Sequence, residues 1–292
     1  MTAAPPDLVI ETLGIGTRTW QYGDPDGSVL VLVHGFRGDH HGLEKLASAI
    51  AARRPGLKVL VPDLPGFGAT PAVPGRPHDL ELYGEWLRLF AARAAPGSTG
   101  VLGHSFGSLV VANALAGGLD PDSVILVNPI SSPALEGPQA LLTALATLYY
   151  RAAEALPERA ARGLLGHPLI VRAMSAVMAK TGDRELRAWI HDQHGRYFSS
   201  FADTTTLLEA FRASVSHTVG EYAASLPAET LLIAGDRDDI TPLTAQLDLQ
   251  HRVPGSRLRI APGVGHLIHY EAAEDAADEI TVFLRAGSGG AG

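Results

Sequence analysis

Two regions of the chain, one on each side of its middle, alternate short apolar runs with longer segments of helical periodicity. This alternation constrains the fold more than any other feature. Strands separated by helices pair side by side through crossovers, which builds a mostly parallel sheet covered on both faces. Runs at residues 8–15, 18–22, 29–33, 59–61, 101–103, 124–127, 231–234 and 258–260 read as eight strands. Helices are expected over 42–53, 80–94, 106–116, 243–252 and 270–285. In the second of these, Leu80, Tyr83, Leu87 and Phe90 recur at three- and four-residue steps, which makes one buried stripe.

Between residues 131 and 226 the strand rhythm stops. Amphipathic stretches there are broken at Gly137-Pro138, Pro157, Gly166-His167-Pro168 and Gly182. So long a span does not persist as a structureless loop in a compact domain. The sequence therefore predicts a core of residues 1–130 and 227–286, an inserted helical lid over 131–226, and a Gly-rich disordered tail at 287–292.

Composition narrows the function classes. A net charge of -8 with no basic run argues against a nucleic-acid partner, which needs a basic face to displace counterions. With no cysteine, disulfides, thiolate metal sites and a Cys nucleophile are excluded. Residues 1–7 lack the basic and apolar regions of a secretory signal, so a cytoplasmic location is expected. The most apolar helical stretch, 140–150, is far shorter than the roughly 20 residues that span a bilayer, so no membrane span is expected.

The chemistry centres on Gly103-His104-Ser105-Phe106-Gly107, which follows one expected strand and opens a helix. Such a turn lifts the serine oxygen above the sheet, and the flanking glycines let strand and helix approach closely. A G-x-S-x-G pattern alone is weak, and its placement between strand and helix sharpens it. A serine nucleophile requires a base, and the base needs a partner to fix its tautomer. Among twelve histidines, His266 lies between the last strand and the last helix, preceded by Gly263 and Gly265 on a loop suited to a proton shuttle. His269 is its nearest rival. The acid is expected in the loop from Gly235 to Pro242, where Asp236, Asp238 and Asp239 compete.

Four blocks in order, Val33-His34-Gly35-Phe36, Pro62-Asp63-Leu64-Pro65-Gly66-Phe67-Gly68, the Ser105 turn, and Gly235 through Pro242 with Gly265-His266, resemble the landmarks of the α/β-hydrolase superfamily. The resemblance covers nearly the whole chain outside the lid. It implies an α/β-hydrolase fold and a chain order of Ser105, Asp238 and His266 as nucleophile, acid and base. It also selects Asp238 over its two neighbours, because the family's acid commonly sits three residues after the Gly and four before the Pro. The backbone N–H groups of Phe36 and Phe106 are implied as an oxyanion hole. Ser108 departs from the small residue frequent at its position, and its hydroxyl can bond back into its own helix.

Several other features take structural readings. Asp63 is expected to satisfy turn amides. Neither Asp39-His40-His41 nor His191-Asp192-Gln193-His194 repeats a known metal spacing. Arg184, Arg187 and Arg196 read as a solvated face, while Tyr149, Tyr150, Phe198 and Phe201 fit lid core and pocket wall equally.

The expected function is acyl transfer from a small-molecule ester to water, with no cofactor. Carbon–carbon bond hydrolases of similar length are the enzymatic alternative, although they often carry Gly-His-Trp where this chain has Leu267 after His266. A ligand-binding homologue that turns over little is the non-enzymatic one. Epoxide hydrolases and haloalkane dehalogenases of this fold use an Asp at the position of Ser105. Because a Ser-His-Asp system needs no metal, dialysis against EDTA should leave esterase activity unchanged; loss restored by a divalent ion would contradict this.

Overall fold

The computed structural model describes residues 7–96, 99–133 and 140–287. The strands are β1 (Asp7–Thr12), β2 (Ile15–Gly23), β3 (Ser28–Val33), β4 (Leu57–Pro62), β5 (Thr99–His104), β6 (Ser123–Val127), β7 (Thr230–Gly235) and β8 (Arg257–Ala261). They form one sheet in the order β1-β2-β4-β3-β5-β6-β7-β8. β2 runs antiparallel to β1 and β4, and every later pairing is parallel. The eight expected strands are all present.

The first expected strand, 8–15, ends earlier, at Thr12. At Leu13-Gly14, with φ of 50° and 77°, the chain turns into a hairpin, so Ile15 opens β2 and pairs with Thr12. Glycine reaches this left-handed region freely, and it is what lets so tight a turn form.

Helices α1 (His40–Arg53), α2 (Leu80–Ala94) and α3 (Phe106–Ala116) lie among the first six strands. Asp39 caps α1 and Asp79 caps α2, each carboxylate accepting from an amide of the first turn. The expected stripe on α2 is buried as one face, joined by Trp86. Central strands are apolar on both faces because both are covered. In β3, Val31 and Val33 pack with α2 and α3, while Leu30 and Leu32 pack on the opposite side with α1. In β6, Val124 and Leu126 split from Ile125 and Val127 in the same way.

Between β6 and β7 the described elements are helical: α4 (Ala140–Glu154), α5 (Glu158–Leu165), α6 (Pro168–Met178), α7 (Arg184–Tyr197), α8 (Thr204–Ser216) and a 3-10 helix over Val219–Ser225. One isolated bridge, Phe67 with Phe201, ties this segment to the loop after β4, through Gly68 N–H to Ser200 O at 2.8 Å and Ala202 N–H to Gly66 O at 2.9 Å. Leu207 and Phe211 of α8 belong to the same apolar cluster as α2 and α3.

The chain closes with α9 (Leu243–Arg252), α10 (Ile268–Glu271) and α11 (Ala273–Gly287). The single helix expected over 270–285 is thus broken at Ala272, whose φ and ψ of -138° and 37° are not helical. The tail beyond Gly287 lies outside the described residues. Among those residues, no helix is long and apolar enough to cross a membrane.

Two glycines set how closely α3 sits on the sheet. A Cβ on Gly107 would stand 2.2 Å from Val33 O, and one on Gly103 would stand 2.4 Å from Gly107 O. Both obstacles are backbone and cannot rotate away. Gly107→Ala is therefore expected to lower the unfolding free energy by about 1–3 kcal/mol in urea titration. Gly195→Ala on α7, where nothing lies within 4 Å, should raise it by about 0.5–1 kcal/mol. Equal effects at the two positions would refute the close-contact explanation.

Candidate active site

Because β3, β5, β6, β7 and β8 are parallel, the loops leaving their C-terminal ends gather along one edge of the sheet. Those loops carry Phe36, Ser105, Asn128, Asp238 and His266 respectively.

Ser105 stands between β5 and α3 at φ 52° and ψ -118°, a conformation costly for a residue with a Cβ. Its neighbours hold it there. Ser105 N–H donates to Val127 O at 3.0 Å, and its carbonyl accepts from Ser108 N–H at 2.8 Å and from Ser108 Oγ at 2.5 Å. Ser108 Oγ in turn accepts from Ile130 N–H at 3.1 Å. The residue that departs from family habit thus staples the turn to the loop after β6.

His266 Nε2 lies 2.7 Å from Ser105 Oγ, and Nδ1 lies 2.8 Å from Asp238 Oδ2. Asp238 Oδ1 accepts from the amides of Ile240 (2.8 Å) and Thr241 (3.0 Å). Its Oδ2 also accepts from Thr241 Oγ1 (2.6 Å) and Asn128 Nδ2 (2.9 Å). Burial alone would raise this carboxyl. The positive charge available on His266, with hydrogen bonds from His266 and Thr241, instead holds it down at about 2.

The competing residues are elsewhere. Asp236 accepts from Gly263 N–H at 2.7 Å, and Asp239 pairs with Lys180. The ring of His269 packs on His104 and Tyr270, with centroids 4.1 and 4.2 Å away. Asp63 takes the amides of His40 (2.7 Å) and Ala69 (2.7 Å), as a turn carboxylate.

The loop after β3 is fixed by His34. Its Nδ1–H donates to Gly35 O at 2.9 Å, and Nε2 accepts from Leu64 N–H at 2.9 Å. That pattern requires a neutral ring, and burial lowers its pKa accordingly. The Phe36 amide follows this fixed turn. Phe106 is the first residue of α3, so its N–H is among those with no partner inside the helix. Its ring is core, packed on Tyr83 at 5.3 Å, whereas the ring of Phe36 lines a cavity.

That cavity, about 480 Å³, opens beside Ser105 and His266. Sheet-edge loops form one side and helices between β6 and β7 the other, including Tyr150, Met174 and Phe198. Of the four aromatics with open assignments, Tyr150 and Phe198 are wall, Phe201 is core, and Tyr149 donates to Leu164 O at 3.0 Å. Arg184, Arg187 and Arg196 are exposed.

Asp39, His40 and His41 bring ligand atoms within 4.8 Å of one another. They are already committed, since Asp39 Oδ1 caps α1 through His41 N–H, and His40 bonds Asp63 while stacking on Trp20 at 3.2 Å.

Two residues at the site were not singled out in the sequence. Asn128 directly follows β6 at φ 45°, a conformation Asn tolerates, and Nδ2 donates to both Asp238 and Gly265 O. An Asn closing an apolar strand is its only sequence signal. Arg37, also at positive φ, is fully buried, and its Nε and Nη2 donate to Phe198 O (3.0 Å) and Leu165 O (2.7 Å). Its Nη1 donates to the Tyr150 hydroxyl at 3.2 Å. An Arg in a short Gly-rich loop gives no hint that its partners lie more than a hundred residues away.

The model of the alpha/beta hydrolase family matches residues 30–279. The chain belongs to that family, and its membership supports a hydrolase. It is 28% identical to the magnesium-chelatase 30 kDa subunit of Rhodobacter capsulatus, over 86% of this chain and 85% of that one. A bromoperoxidase from Bacillus anthracis superposes with a TM-score of 0.75 at 16% identity, covering 97% of this chain and 100% of the other. A thermophilic esterase from Thermogutta terrifontis superposes with 0.73 at 22% identity, covering 98% and 99%.

Removing the Asn128 side chain leaves the buried Asp238 short of a donor. Asn128→Ala should cost about 1–3 kcal/mol in chemical denaturation. Asn128→Gly, which tolerates the positive φ, isolates the lost hydrogen bond from backbone strain; a stability equal to wild type in that variant would mean the bond contributes nothing.

Proposed function

We propose that this chain is a serine hydrolase that cleaves a carboxylic ester through an acyl-enzyme on Ser105. The observation that carries the reading is the unbroken line from Ser105 Oγ to His266 to Asp238, at 2.7 and 2.8 Å, opening on a cavity. A hydroxyl rather than a carboxylate at the turn favours acyl transfer over the chemistry of Asp-nucleophile relatives.

In this reading Ser105 Oγ attacks the ester carbonyl carbon as its proton passes to His266 Nε2. Asp238 accepts from Nδ1–H, which selects the tautomer with a free Nε2 and stabilises the imidazolium that forms. The carbonyl oxygen, now negative, accepts from the amides of Phe36 and Phe106, with the positive end of α3 behind the second. Collapse breaks the bond to the alcohol oxygen, which takes the proton from His266. Water then attacks the acyl carbon as its proton passes to His266 Nε2, and collapse breaks the bond to Ser105 Oγ, which takes that proton back as the acid leaves. The helices between β6 and β7 act as a lid that forms the substrate-facing wall.

Labelling by a fluorophosphonate probe tests the activated serine, and three substitutions rank the roles on a p-nitrophenyl ester. Ser105→Ala should lower the rate constant by roughly 10⁴-fold or more and abolish labelling. His266→Ala should cost about as much, since nucleophile and base act as a unit. Asp238→Asn should cost on the order of 10⁴-fold, because it permits the wrong tautomer. Asp236→Asn and Asp239→Asn should matter far less. Failure of the wild type to label would indicate a passive binding pocket, and a crippling Asp236→Asn would reassign the acid.

A further inference from the structure

The cavity beside Ser105 is mostly apolar, walled in part by Met174, Val177 and Met178 of α6 and by Leu267. It has a polar corner that the proposed mechanism does not use. His194 of α7 meets Tyr270 with ring centroids 5.7 Å apart, and Tyr270 meets His269 at 4.2 Å. All three line the cavity, and their residues are only 6%, 5% and 4% exposed.

These groups are held ready without being consumed. His194 Nδ1 lies 2.7 Å from the buried Ser175 Oγ, and the same hydroxyl lies 2.6 Å from His191 Nδ1. A hydroxyl has one hydrogen, so Ser175 donates to one ring and accepts from the other. This fixes the orientation of His194 and leaves Nε2 as its nitrogen for a ligand. His269 Nδ1 is buried with no partner, an arrangement that costs stability. Several other polar groups of the wall are already engaged. Arg37 is spent on carbonyls and hydroxyls, Ser214 on Phe211 O, His104 on His266 O, and Asp39 on its own helix.

The corner is also uncharged. Burial, then the neighbouring His191, lowers His194 to about 4. Burial and the rings of His104, His194 and His266 hold His269 well below the usual imidazole range, and burial pushes the Tyr270 phenol up. A carboxylate entering here would meet no counter-charge, and an ammonium group would lose its water to three neutral partners. A ketone or hydroxyl finds donors and acceptors of its own kind.

We propose that His194, His269 and Tyr270 form a subsite for a neutral polar group, a ketone or a hydroxyl, carried on an otherwise hydrocarbon ester. Ser175 and His191 are its positioning residues. The proposal rests on the serine-hydrolase reading and deepens it to a substrate class: large, uncharged, and apolar except at one place away from the scissile bond.

The test compares p-nitrophenyl octanoate with its oxo-octanoate isomers, the ketone stepped along the chain, and octyl acetate with the matching keto-alcohol acetates. For the wild type, kcat/KM for at least one isomer should exceed that of its hydrocarbon parent by about 10-fold, the worth of a neutral hydrogen bond. His194→Phe should bring that ratio close to one, His194→Gln should retain part of it, and Ser175→Ala should reduce it as the ring loses its orientation. Thermal unfolding of each variant separates a lost fold from a lost preference; if His194→Phe does not fold, the other two variants carry the test. A ratio unmoved by these substitutions, or the absence of any favoured isomer while the parents are hydrolysed, removes the subsite alone. If the wild type hydrolyses none of the esters, the serine-hydrolase reading falls and the subsite with it.

Discussion

The site depends on a crossing of backbones. β5 must end, reverse through Ser105 at positive φ, and leave as α3 without clearance for a side chain at Gly103 or Gly107. The strain at Ser105 is held by bonds from both directions, Val127 O on one side and Ser108 on the other. Since Val127 closes β6 and Ser108 reaches Ile130 just beyond it, the neighbouring strand fixes the turn as firmly as its own. Asn128 lies between those two anchors and carries the constraint on to Asp238. The geometry around Ser105 and the geometry around the carboxylate are therefore one problem, solved by the end of β6.

Much of this was legible in the sequence, because it rests on local rules. Strands buried on both faces give uninterrupted apolar runs, and helices give three- and four-residue steps, so the core elements fall close to where the pattern puts them. The errors come where a local conformation interrupts a continuous pattern. Nothing apolar marks the hairpin at Leu13-Gly14, and Ala272 breaks a helix with a residue that favours helices. The proximity of Ser105 and His266 could be read from their placement, whereas singling out Asp238 over Asp236 and Asp239 as the carboxylate beside His266 needed a family resemblance. The physical difference among the three lies in Thr241 and Asn128, one of them distant in the chain, and no spacing reveals that.

The same limit applies more strongly to the helices between β6 and β7. Their amphipathicity shows that they pack, but the sequence does not show against what. His191 and His194 look like a metal motif without the right spacing, and the structure gives them a different occupation around Ser175. His269, a rival for the role of base, stands behind His104 instead of beside Ser105. A histidine's chemistry is set by which nitrogen is already engaged, which is a property of tertiary structure.

Arg37 gives the chamber a further property. It is a permanent cation sealed from water, bonded only to carbonyls and hydroxyls, with no carboxylate in ion-pair distance among the described residues. Neutral dipoles solvate such a charge without cancelling it, and its field extends into a medium that screens it poorly. Arg37 follows Phe36 directly in the chain, so the side chain that carries this charge is anchored in the loop whose amide faces the reacting oxygen in the proposed mechanism, while its head reaches Phe198, Leu165 and Tyr150. The carbonyls and hydroxyls that hold the guanidinium are already turned toward it, so the charge stands in place before any ligand arrives and needs no rearrangement when negative charge develops nearby.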